Sequence, residues 1–121
     1  MQQKELLTKE VATIGEEISH ETALDFVNAY ADANPGDVVG GYTIGRNILD
    51  QILAQPGCAG IRLYNALNEL GQKTLVYVGV DATGKDIMKK VVVQEDGKLA
   101  TVPAIVADRI EWLITIFGGG R

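Results

Sequence analysis

Two phenol rings and a guanidinium are the side chains here best suited to recognition. Arg62 and Tyr64 lie two apart in GIRLYNA, and Tyr77 lies in TLVYVGV. On one sheet face, such groups can stack on a planar ligand or anchor a protein partner. A second set is Gly40-Gly41 followed by Gly45-Arg46 at a helix start, where backbone N–H groups and one cation are the ingredients of an anion site. It fits neither G-x-x-x-x-G-K-S/T nor G-x-G-x-x-G, so nucleotide binding is unsupported, and two glycines also serve as a bend between packed helices. A third set, Asp81, Thr83 and Asp86 in VDATGKDIM, offers oxygen ligands in a tight loop. A calcium loop needs roughly six to eight oxygens and usually a late bidentate Glu, so the expected role is a turn.

Nucleophilic catalysis needs a nucleophile, a histidine base and an orienting group from separate parts of the chain. The chain has one serine, Ser19, one histidine, His20, and one cysteine, Cys58. Ser19 and His20 are neighbours at a helix start, where a serine caps. Cys58 leads into a strand, where a small thiol is usually core. One His and one Cys cannot complete a four-ligand zinc site, so neither a metal nor a cofactor is expected.

The 121 residues, 46% hydrophobic and 22% charged, are the size and composition of a single soluble domain with its own core. A lone cysteine cannot close an intrachain disulfide, no apolar run approaches a membrane span, and the amino terminus is too acidic for a signal peptide. A cytoplasmic protein without membrane contact is expected. The net charge of −5 is local: residues 1–37 hold Lys4 and Lys9 against Glu5, Glu10, Glu16, Glu17, Glu21, Asp25, Asp32 and Asp37. The basic pair Lys89-Lys90 is too little to bind a phosphate backbone, so no nucleic-acid partner is expected.

Hydrophobic spacing places the elements. Ala23, Leu24, Val27, Tyr30 and Ala31 form a helical stripe from Ser19, the N-cap, to the stop Asn34-Pro35-Gly36. Leu6, Leu7, Val11 and Ile14 predict a shorter helix ending at Gly15. Ile44, Ile48, Leu49, Ile52 and Leu53 predict another, ending at Pro56-Gly57. The period then falls to two. Residues 60–66 and 74–80 read as a hairpin around LNELGQK, in a register pairing Ile61 with Val78 and Leu63 with Val76. That register turns five aliphatics inward and puts Arg62, Tyr64 and Tyr77 on the other face. Asp96-Gly97 predicts a two-residue type I′ turn setting Glu95 opposite Lys98, Val93 opposite Ala100 and Val91 opposite Val102. Pro103 then opens a last helix through Phe117, stopped by Gly118-Gly119-Gly120. The expected fold is α+β: amino-terminal helices, a four-stranded antiparallel meander covered on one face, and a carboxyl-terminal helix, without internal repeats.

Residues 44–87 carry a helix ending before Pro56-Gly57-Cys58, the strand Gly60-Ile61-Arg62-Leu63-Tyr64, and Val78-Gly79-Val80-Asp81 with Gly84 and Asp86 beyond. This third of the chain resembles a family of small, uncharacterised bacterial proteins. The resemblance implies that GIRLY through VGVD is one structural unit. Some members carry further cysteines near the carboxyl terminus; this chain has none after Cys58, so no redox or metal role transfers.

Two functions are therefore expected to compete. One is a non-catalytic interaction or assembly protein, with a homodimer seam on Ile110, Trp112, Leu113, Ile116 and Phe117 of the last helix. The other is a small-molecule or anion-binding domain, or an enzyme of that kind, using Arg62, Tyr64, Tyr77 and Arg46.

Overall fold

The structure, a computed structural model, describes residues 10–108 and 110–113. It is mixed helix and antiparallel sheet, and its contacts divide it into two compact units: Met1–Ile14 with Gly45–Arg109, and Gly15–Ile44 with Ile110–Arg121.

In the second of these units, helix α1 (His20–Ala33) begins where expected, because the Ser19 hydroxyl accepts a 3.0 Å hydrogen bond from the Thr22 amide. It ends at Asn34, whose side-chain amide donates to the Tyr30 carbonyl at 3.0 Å. A short strand β1 (Gly41–Thr43) pairs with β7 (Glu111–Leu113), aligning Tyr42 with Trp112. Asp37 ties the return of the chain from α1. It accepts from the Tyr30 hydroxyl at 2.7 Å and from the Val39 amide at 3.2 Å.

The other unit carries a 3-10 turn (Val11–Thr13), helix α2 (Arg46–Leu53), and strands β2 (Cys58–Leu67), β3 (Lys73–Asp81), β4 (Lys89–Val93), β5 (Leu99–Pro103) and β6 (Val106–Ala107). Where a helix was expected over residues 6–14, the described part is only that 3-10 turn, and the residues before Glu10 lie outside the described set. Strand β3 is central, with β2 on one side and β6 on the other, while β4 and β5 form their own two-stranded hairpin. The meander of four consecutive strands is thus replaced. Ile87 donates to the Gly79 carbonyl at 2.8 Å, the chain leaves through the β4–β5 hairpin, and Val106 resumes the row opposite Val78. An Ala104 N–H to Met88 carbonyl bond of 3.0 Å closes the base of that excursion.

Both predicted registers are one residue off, for one reason. Each hairpin turns on three residues followed by a pairing, with the glycine at the last loop position in the left-handed region: Gly71 at φ 75°, Gly84 at φ 89° and Gly97 at φ 82°. Asn68 pairs with Gln72, Asp81 with Lys85, and Gln94 with Lys98 through bonds of 2.8–2.9 Å. Hence Ile61 lies opposite Gly79, Leu63 opposite Tyr77, Arg62 opposite Val78 and Tyr64 opposite Val76. Likewise Val93 lies opposite Leu99 and Val91 opposite Thr101. The three turns, NELGQ, DATGK and QEDGK, recur every thirteen residues, a spacing visible in the sequence once the turn type is known.

The sheet is buried on both faces of β3, not one. Tyr77, at 1% exposure, and Gly79 face one side, where Ile52, Gln55 and Cys58 close over Gly79. Val78 and Val80 face the other, where Val11 approaches Gly60. Residues 103–108 and 110–113 hold strand ends and loops rather than the expected last helix. β-branched Val106, itself exposed, pairs with Val78, and a short apolar run suits a strand as well as a helix. The rest of that expected helix, with Ile116 and Phe117, lies outside the described residues.

Candidate functional site

Pairing partners share a face, so Arg62, Tyr64 and Asp86 project from the same side of the sheet through their partners Val78, Val76 and Val80. Arg62 on β2 and Asp86 on the far side of β3 meet across the central strand. The guanidinium Nη1 donates to Asp86 Oδ1 at 2.6 Å, and Nη2 donates to the Gly84 carbonyl at 3.1 Å. The Tyr64 hydroxyl donates to Asp86 Oδ2. One carboxylate is thus held by a cation and a phenol. The hydrogen bond to Asp86, foremost, raises the already high pKa of Arg62, so the group stays a cation throughout the accessible pH range.

Tyr77 does not belong to this set. It sits on the opposite face, buried, and its hydroxyl donates to the Asp108 carbonyl at 3.0 Å. The one-residue change of register moves it there. Arg46 is exposed at the first position of α2. Of the expected dimer seam, Ile110 is half-buried, and Trp112 and Leu113 belong to β7 instead of a helix.

Asp81 and Asp86 serve different partners. Asp81 Oδ1 accepts from the Thr83 hydroxyl at 2.6 Å, the Thr83 amide at 2.9 Å and the Lys85 amide at 3.0 Å. These bonds, the Thr83 hydroxyl above all, lower its pKa and commit it to the turn. Among the described residues, no three His, Cys, Asp or Glu side chains gather as a metal site would require. The Ser19 hydroxyl is engaged in the helix cap, and Cys58 Sγ donates to the Gly60 carbonyl at 3.2 Å.

A cavity of about 350 Å³ adjoins the cluster, lined by Val11, Ala12, Ile14, Ala59, Gly60, Ile61, Arg62 and Val80. Arg62 is its one charged lining residue. Comparison with known families, curated proteins and solved structures returned no match. The geometry itself therefore carries the functional reading.

Two residues of consequence escape a reading by residue type. Asp86 looks like part of a turn, but with three residues in the loop its parity places it on Val80's face, toward Arg62. Gln55 is buried at 5% exposure, donating to the Ile52 carbonyl at 3.1 Å and accepting from the Ile105 amide at 2.9 Å. It joins the end of α2 to the segment entering β6, and nothing local in QILAQPG marks it.

No helix among the described residues is long and apolar enough to cross a membrane.

Proposed function

We propose that this chain is a non-catalytic interaction or assembly protein that associates with itself. The observation that carries this reading is the outer face of the β4–β5 hairpin. Val91 at 58%, Val93 at 71% and Leu99 at 70% are exposed side by side across the ladder, with Lys89, Thr101 and Pro103 beside them. An isolated two-stranded hairpin is marginal in water and gains stability when its apolar face or edge is covered. Sedimentation velocity from low micromolar to near-millimolar protein tests the reading, with a concentration-dependent dimer or larger species as the expected result. A strict monomer throughout would overturn it.

The cavity beside Arg62 favours a second reading, in which a small anion with an apolar portion binds there. Native mass spectrometry of the purified protein would then show a retained small molecule, lost in Arg62→Ala while the fold persists.

A further inference from the structure

Resting on the self-association reading, we infer that β4 is the contact: it pairs edge to edge with β4 of a second copy, antiparallel and centred on Val91. The backbone decides which edge is open. Gln94 pairs with Lys98 and Met88 with Ala104 through N–H to carbonyl bonds, so the even-numbered residues of both strands turn their backbone groups inward. By alternation, Lys89, Val91 and Val93 turn theirs outward on β4, and Leu99, Thr101 and Pro103 outward on β5. Pro103 has no N–H, so the β5 edge is interrupted. The β4 edge offers an unbroken run of donors and acceptors, and among the described residues β4 pairs with β5 alone.

Charge selects the register. Centring on Val91 places Val91 against its counterpart and Lys89 against the second copy's Val93. The second copy's Glu95, the first turn residue after its β4, then lies just beyond its Val93 at the end of the pairing, within reach of the long Lys89 side chain, and symmetry makes this attraction twice. Centring on Lys89 would oppose like charges. A pairing through the even-numbered residues would need backbone groups that already serve β5. The Val91 register extends the hairpin to four strands and gives the exposed Val91 and Val93 side chains apolar neighbours, Val91 itself and the stem of Lys89.

Sedimentation of the full chain tests this with two proline variants and a charge exchange. Val91→Pro removes an outward N–H without touching the β4–β5 ladder, and should give a monomer over the range in which the parent dimerises. Thr101→Pro makes the same change on the other edge and should leave dimerisation unaltered. Lys89→Glu, a surface change that spares the fold, should weaken dimerisation several-fold, and adding Glu95→Lys should restore it. If the parent is dimeric but Val91→Pro dimerises equally well, or the charge exchange shows no rescue, the β4 contact is wrong and self-association stands. A monomeric parent removes both.

Discussion

A Cβ built on Gly79 would stand 2.9 Å from Cys58 Sγ, 3.1 Å from Gln55 Nε2 and 3.3 Å from Ile52 Cγ2. Gly79 is the point at which the end of α2 and the start of β2 press onto the central strand. All three neighbours are short or held side chains, so none yields cheaply. Gly79→Ala is expected to destabilise the protein by about 1–3 kcal/mol through overpacking. Removing the nearest obstacle should recover part of the loss, so Gly79→Ala in a Cys58→Ala background should cost less than Gly79→Ala alone. Urea unfolding of the four proteins in this cycle measures the coupling, and strict additivity would show that Cys58 is not what Gly79 accommodates.

Gln55 meets the same site from the polar side. Its amide satisfies the Ile52 carbonyl and the Ile105 amide in a place closed to water. Gln55→Leu keeps the volume roughly constant and leaves both backbone groups without that partner. The expected loss is about 1–3 kcal/mol in urea unfolding. Hydrogen exchange at the Ile105 amide should accelerate in the variant more than exchange within α1. Unchanged protection at Ile105 would mean that water replaces the side chain there.

Helix α1, its Ser19 cap and the two long strands were legible because each depends on residues close in sequence. The stripe from Ala23 to Ala31 has one period, β3 is rich in β-branched and aromatic residues, and β2 alternates Ile61 and Leu63 with Arg62 and Tyr64. What escaped was set at a distance. A single residue of loop length decided whether Tyr77 joined Arg62 or lay beneath the sheet, since parity has no intermediate state. Asp96-Gly97 suits a two-residue turn, but the same glycine equally closes a three-residue loop, and DATGK and NELGQ carry the same glycine in the same place. The departure of the β4–β5 hairpin between Ile87 and Val106 depends on contacts across many residues and leaves no local trace. The apolar run after Pro103 was ambiguous for a different reason, because a short apolar run reads alike as a strand or as part of a helix.

The three turn glycines are expected to behave unlike Gly79. Nothing lies within 4 Å of a Cβ built at Gly71, Gly84 or Gly97, so space is not at issue. Each has a positive φ, and alanine there is strained by its own backbone. Alanine substitution should cost about 1–2 kcal/mol at each position, and asparagine distinctly less, because its side chain tolerates the left-handed region. Thermal unfolding of the six variants checks the order. Equal losses for alanine and asparagine would show that the loops shift to another turn.

Tyr77 should make stability fall in alkali. Burial, first, and the nearby Asp108 carboxylate raise its phenol above the ordinary value of 10.0. The fold therefore favours the protonated ring. Its contribution is complete below the pKa of the unfolded phenol and is lost as pH rises from there through the higher folded value. Tyr77→Phe should cost about 1 kcal/mol at neutral pH, since it removes the hydrogen bond to the Asp108 carbonyl. The same variant should lose less stability than the parent between about pH 9 and about pH 11. Urea unfolding across that range, with tyrosinate absorbance followed in parallel, gives both numbers. One phenol should disappear from the tyrosinate titration in Tyr77→Phe. An alkaline slope identical to the parent's would mean that another group controls the transition and that the phenol is free to ionise in the folded chain.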